Sequence, residues 1–191
     1  MPKAFSESEM TKIKDKLIES CKICWGKQGY RKTSVGELCK MAGVSTGAFY
    51  LFFPSKEMLF VATANHFNDN LYKIIRDNKP EKPDKYDLAR GVKLIAEELL
   101  NNQWVFSIRE DYEVFLRKLP DNFMEQEYKK DLLDIKDIIE LYDLVPTVAM
   151  DEIMSVIYTI FLSLYFTDII GELHRGAVEF LLDTAIEKLF V

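Results

Sequence analysis

Between Thr33 and Leu59 the chain reads TSVGELCKMAGVSTGAFYLFFPSKEML, and three helix starts fall within that stretch. Ser34 with Glu37 three residues on has the pattern of a capping box, with Thr33 a competing cap. Val35, Leu38, Cys39 and Ala42 then share one face, and Gly43 ends the segment. Ser45 caps a second short helix that reaches about Phe52 before Pro54 stops it. Ser55 caps a longer helix that opens on KEMLF and extends to about Asn78. Helices of two turns are not stable alone in water. This pair must lean on a neighbour, and the glycine turn between them fixes the angle at which they do so.

Two short helices joined by such a turn are the sequence form of a helix-turn-helix, whose second helix enters the DNA major groove by its N-terminal residues. Val44 can plug the angle between the helices. Ser45 and Thr46 offer hydroxyls and open N–H groups where phosphate is favoured. Gly47 and Ala48 have almost no side chain, so the backbone can approach DNA closely, and Ala48 can meet a thymine methyl. Phe49 and Phe53 read as anchors to the core. Lys56 stands in the first turn of its helix, against the helix dipole, which points to a partner such as phosphate.

The stretch GYRKTSVGELCKMAGVSTGAFYLFFPSKEML resembles the DNA-binding domain of the TetR/AcrR family of bacterial transcriptional regulators. The residues that carry the resemblance are Gly29, Thr33, Ser34, Val35, Ala42, Gly43, Val44, Ser45, Gly47, Tyr50, Phe53, Ser55, Lys56, Glu57 and Leu59. It implies that Thr46, Gly47 and Ala48 face the groove. Tyr50, Lys56 and Thr33 or Ser34 would then hold phosphates, and Lys40 would add to sequence preference. Phe52 departs from the pattern, since the family often places His or Tyr there to touch phosphate. Cys39 stands where Ala is usual, and Trp25 where Phe is common.

The rest of the chain reads as helix throughout, which makes the expected fold class all-α. It comprises a helix-turn-helix domain over residues 1–55 and a larger helical domain over 56–191. Helix one is expected from about Glu7 to Gln28, with Ser6 and Glu9 as a capping box and Gly29 as the stop. Residues 78–86, NKPEKPDKY, form a connector. Further helices are expected over about 86–102, 104–119, 121–143, 147–170 and 174–190, broken at Pro120, Pro146 and Gly171. Residues 1–60 hold ten Lys/Arg against six Asp/Glu, and residues 61–191 hold 15 against 25. A basic first third on an acidic remainder separates a part suited to an anion from one that is not.

Several function classes fall away. The start, MPKAFSESEM, has no apolar signal core, and the longest uncharged run, 153–167, is too short for a bilayer span. Cys21 and Cys24 form a C-x2-C on one apolar helix face with no second pair, so no metal is expected there. With Cys39 they make an odd number of cysteines, which fits a reducing cytoplasm. Two histidines, His66 and His174, and no nucleophile elbow or phosphate-cradling loop leave no basis for an enzyme. No cofactor is expected.

The run 153–167, IMSVIYTIFLSLYFT, is apolar round most of its circumference and must be covered on more than one side. The last helix repeats this more mildly. Ile153, Ile157, Phe161, Ala177, Phe180, Leu181, Thr184 and Leu189 are therefore expected at a homodimer interface, which the resemblance implies is a four-helix bundle across the dimer axis. Middle-chain aromatics suit an apolar or aromatic small molecule. The candidates are His66, Phe67, Trp104, Phe106, Tyr112, Phe115, Phe123, Tyr128, Tyr158 and Tyr165. The expected function is a ligand-responsive repressor of operator DNA, cytoplasmic and not membrane-bound. The alternative, motivated by Phe52, is a small-molecule binding or sequestering protein with weakened DNA binding.

Overall fold

The computed structural model describes residues 6–166, Gly171 and 174–191. The helices are α1 (Glu7–Lys32), α2 (Val35–Ala42), α3 (Thr46–Phe52), α4 (Lys56–Asp77), α5 (Lys85–Asn101), α6 (Tyr112–Leu116), α7 (Phe123–Leu141), α8 (Met150–Ser163) and α9 (His174–Leu189). Two 3-10 segments, Gln103–Asp111 and Leu164–Phe166, complete the described elements. The all-α expectation is borne out. Local chemistry sets the boundaries much as the sequence indicates. Ser6 and Glu9 form the reciprocal box at the start of α1, and Gly29 at φ 76° breaks its regular geometry. Gly43 at φ 70° ends α2 in the left-handed conformation. Asp84 with Asp87 caps α5, so that helix begins inside the expected connector.

The chain forms two compact units, one of residues 1–68 with 103–120, the other of 69–102 with 121–191. The expected division at residue 55 does not coincide with them. The difference arises because the first unit recruits residues from the middle of the chain. Its core is Leu17, Cys21, Cys24 and Trp25 of α1, Leu38 and Cys39 of α2, Phe49 of α3, Phe53 after it, and Leu59, Phe60 and Phe67 of α4. The segment 103–118 closes that core. Trp104 sets its ring edge-on to Trp25 at 5.1 Å and to Phe67 at 5.3 Å, and Phe115 meets Tyr30 at 5.3 Å.

This segment is not the single helix expected over 104–119. The run WVFSI is rich in aromatic and β-branched residues of modest helix propensity. Ser107 Oγ donates to the carbonyls of Trp104, at 2.7 Å, and Trp25, at 3.2 Å. A tight 3-10 path results.

One contact in this unit demands glycine. A Cβ at Gly26 would lie 2.9 Å from Trp104 Cβ, an atom fixed to the backbone. Gly26→Ala should therefore destabilise the protein by about 1–2 kcal/mol. Overpacking costs more than the roughly 1 kcal/mol that alanine gains inside a helix. Thermal unfolding monitored by circular dichroism reads the sign.

In the second unit α5 and α8 both pack on α9, and Leu88, Ile95 and Leu99 of α5 and Val178, Leu182 and Ile186 of α9 are buried. Lys85–Glu187 at 3.2 Å and Lys93–Asp183 at 2.7 Å flank the α5–α9 seam. Tyr142 donates its buried hydroxyl to the Ile75 carbonyl at 2.9 Å. Thr147 N–H donates to Leu189 O and Val191 N–H to Val145 O, an isolated antiparallel bridge that ties down the chain end. The helix expected to reach residue 170 ends as α-helix at Ser163, and residues 167–170 lie outside the described set.

Candidate functional site

The α2–turn–α3 unit divides α3 cleanly. Phe49 is fully buried and Phe53 nearly so. Thr46, Gly47, Tyr50 and Leu51 are exposed, and Ala48 and Phe52 are half-buried. Positions 46, 47, 50 and 51 form one arc of a 3.6-residue helix. Ser45 is the N-cap, exposed, and its Oγ accepts the Ala48 N–H at 3.1 Å. Tyr50 is 55% exposed, braced by an edge contact with Phe49 at 5.2 Å that leaves the phenol outward. Lys40 and Met41 are exposed on α2. Ser34 is exposed and caps α2 through the Glu37 N–H at 3.2 Å. Glu37 does not return the bond that would complete the box, because its carboxylate accepts from Gln28 Nε2 at 2.6 Å.

Two residues expected at DNA phosphates turn inward. Thr33 is buried and its hydroxyl donates to the Gly29 carbonyl at 2.8 Å, which serves the break in α1. Lys56 Nζ donates to the carbonyls of Tyr30 and Thr33, both at 2.9 Å, and sits 4.0 Å over the Tyr30 ring. The ammonium is thus the cap of the α1 end. Burial holds its pKa below the usual lysine value, with the neighbouring Glu57 carboxylate working the other way. The partner implied by a cation at a helix start exists, but it is a pair of carbonyls. Around it Tyr30 donates to Glu57 at 2.5 Å, and Lys118 stands 3.7 Å from the same carboxylate. Burial alone would raise the Glu57 pKa, yet the hydrogen bonds it accepts, led by that from Tyr30, bring the net shift below the ordinary range.

The aromatics expected to line one small-molecule site are divided between the units. Phe67 and Phe115 belong to the first unit's core, and the half-buried Trp104 packs against it. Phe106 is half-buried there, and Tyr112 and His66 are exposed. The carboxylate of Asp111, an acidic neighbour of these, accepts from the Arg31 guanidinium at 2.6 Å and from the Arg31 backbone N–H at 3.2 Å. In the second unit Phe123 and Tyr165 are half-buried. Tyr128 and Tyr158 lie together with ring centroids 6.3 Å apart. Tyr128 donates to Asp151 at 2.7 Å and Tyr158 to Asp131 at 2.8 Å.

Tyr72, Asp131 and Asp134 join this group and were missed by sequence reasoning. The spacing of the two aspartates, three apart on one helix face, was the available signal. Burial raises the pKa of both, and burial with the two carboxylates raises that of Tyr72. Among the described residues Asp134 Oδ2 is buried without a hydrogen-bond partner.

A carboxyl whose folded pKa is raised binds its proton more tightly when folded, so the native state is favoured as pH falls and penalised as pH rises through the folded value. Asp134→Asn removes that penalty and should stabilise the protein by up to about 1 kcal/mol at pH 7. The gain should shrink toward pH 4. Denaturant titrations at the two pH values check both parts.

The expected partner-facing residues also separate. Ile153 has no exposed surface and Leu189 is buried, so both serve the second unit's own core and leave nothing for a partner. Ile157 and Phe161 are half-buried. Ala177, Phe180, Leu181 and Thr184 are exposed at i, i+3, i+4 and i+7 along α9, with Phe180 69% exposed. Leu162 of α8 is exposed as well. The His174 side chain lies outside the described residues.

An all-α chain with a capped two-helix unit near its start, whose second helix presents small residues outward, is a helix-turn-helix protein. Residues 17–63 match the family model described as bacterial regulatory proteins, tetR family. The match covers the helix-turn-helix part of the chain, from α1 into α4. It is 41% identical over 69 residues to the uncharacterised helix-turn-helix regulator YuxN of Bacillus subtilis, a stretch covering 36% of this chain and 24% of that protein. It is 27% identical over 73 residues to the transcriptional repressor AcnR of Corynebacterium diphtheriae, covering 38% of each chain. The chain thus spans well under half the length of these curated relatives.

Similar folds extend over nearly the whole chain. A TetR-family regulator of Haemophilus influenzae superposes with a TM-score of 0.62 at 14% identity, covering 97% of this chain and 100% of that one. The regulator FadR of Bacillus subtilis, in complex with stearoyl-CoA, gives 0.64 at 16%, covering 92% and 98%. No described helix is long and apolar enough to cross a membrane.

Proposed function

We propose that the protein is a ligand-responsive transcriptional regulator that binds double-stranded operator DNA as a homodimer and is released from it by a small molecule. The observation that carries this reading is the outward arc of α3. Thr46, Gly47 and Tyr50 are exposed beside Ser45, with Ala48 at the edge. Few side chains stand between the backbone and a groove. Ser34, Ser45 and Tyr50 supply phosphate contacts, Lys40 adds a cation, and Thr46 and Ala48 face base edges. Thr33 and Lys56 stabilise the fold beneath them. The DNA-binding part includes the segment 103–120, and the second unit holds the effector and the dimer surface.

The tyrosine and aspartate group of Tyr72, Tyr128, Tyr158, Asp131 and Asp134 offers the second unit's ring faces and polar groups to an effector. The action is two-state linkage: the effector favours a spacing of the two α3 helices that does not fit the operator. α4 is the helical one of three covalent connections, since it starts in the first unit and ends in the second, while the chain crosses again at 102–103 and 120–121. AcnR is a repressor and FadR holds an acyl-CoA, which supports a repressor with an apolar effector. A gel-shift titration on DNA upstream of its own gene, at low salt without ligand, tests the reading. A saturable band that survives competitor DNA is the expected result, and its absence would favour a sequestering protein without DNA binding.

A further inference from the structure

We propose that Leu51 is a sequence-reading residue of α3, and that it reads the 5-methyl group of thymine in the major groove. The inference rests on the DNA-binding reading and adds to it a residue and a base. Leu51 is 75% exposed. A single exposed leucine is ordinary on a protein surface, so the weight lies in its position. It stands one turn beyond Gly47 and beside Ala48 on the helix.

Passing round α3, the outward arc has two edges. One is polar and carries the Thr46 hydroxyl and the Tyr50 phenol. The other is apolar and consists of Gly47, the Ala48 methyl and the Leu51 isobutyl group. The core does not need Leu51, because Phe49 and Phe53 already fill the space beneath α3. Among the described residues no side chain crowds this edge near Gly47, where an added Cβ would meet Ser45 Oγ at an ordinary 3.9 Å.

The occupant follows from charge and chemistry. Residues 1–60, which contain α3, are net basic, while the remainder is net acidic. The same arc carries the groups assigned to DNA. An edge with no donor or acceptor side chain cannot tell bases apart by hydrogen bonds. What it can distinguish in the major groove is an apolar projection, and thymine alone among the four bases has one. Leu51 would therefore favour a T·A pair at one position of each half-site, through contact that excludes water from the methyl.

The test uses the full chain and duplexes enriched from a random-sequence pool. Each thymine of the enriched site is replaced in turn by deoxyuridine, which removes the methyl and nothing else. At one position per half-site wild type should lose about four-fold in affinity, the worth of burying one such group. Leu51→Ala should show that loss on the thymine duplex and no further loss on the deoxyuridine duplex. Leu51→Met, which keeps an apolar end, should retain the discrimination. Both residues are good helix formers at an exposed site. Equal weakening of every duplex by Leu51→Ala would place Leu51 on the backbone and overturn the proposal. So would a deoxyuridine effect that persists unchanged in that variant. Failure to enrich any sequence would remove the DNA-binding reading together with it.

Discussion

Lys56→Met should lower the stability of the protein by about 2–4 kcal/mol and leave the salt dependence of DNA binding unchanged. The ammonium satisfies two carbonyls, those of Tyr30 and Thr33, each at 2.9 Å. Those carbonyls need a donor because Gly29 breaks the α1 pattern and the chain turns immediately into α2. Methionine keeps the unbranched stem that packs beside Tyr30 but donates nothing. Loss of this donor at the Thr33 carbonyl costs about 1–2 kcal/mol, and the Tyr30 carbonyl, which keeps the Thr33 N–H at 3.3 Å, loses about half as much. The loss of the cation over the Tyr30 ring, 4.0 Å away, adds about half a kcal/mol or more. For a chain of 191 residues this is a fall in Tm of roughly 5–15 °C. A lysine that held a DNA phosphate would behave oppositely. Its removal would spare the melting temperature and flatten the plot of log affinity against log salt by about one unit. Melting curves and a salt titration of the same variant separate the two roles.

Lys56 also shows where sequence reasoning stops. The position against the helix dipole was legible, and so was the need for a partner. Which partner depends on the end of α1 arriving beside the start of α4, a tertiary fact that no local pattern records. Thr33 follows the same rule, because a hydroxyl before a helix caps it or turns away according to what its neighbours lack. By contrast Ser6, Gly43, Ser45 and Ser55 act through residues three or four positions away. Those boundaries were correspondingly legible. The region 104–119 was misread for another reason. Its periodicity suits a helix, but Trp104 seats against Gly26 and Ser107 bonds the Trp25 carbonyl. Packing against a distant helix overrides weak propensity there. The aromatic count in the middle of the chain then misled, since Trp104 and Phe115 complete the core around Trp25, Tyr30 and Phe60. The aspartates of α7 were passed over because an exposed acidic face is the ordinary fate of such residues, and their burial comes from elements far away in sequence.

Phe180→Glu should convert the proposed homodimer to monomer at micromolar concentration, with its helical content intact. Phe180 is 69% exposed on α9 and contributes little to its own unit's core, so the variant folds. Together with Ala177, Leu181 and Thr184 it forms a continuous outward face. A large apolar ring centred on such a face costs solubility unless something covers it. The proposed cover is the same face of a second copy. In a two-fold interface each substitution occurs twice, near the axis and near itself. Removing two buried phenyl groups costs about 4 kcal/mol. Bringing two unpaired carboxylates out of water adds several more. The dimer constant should therefore weaken by at least about a thousand-fold. Sedimentation velocity across a concentration series reads this directly. Operator affinity should fall in parallel, because two linked half-site contacts become two independent ones. A variant that still sediments as a dimer would place the partner surface elsewhere on the second unit. Phe180 would then count as an isolated exposed ring, and Leu162 of α8 would be the next residue to change.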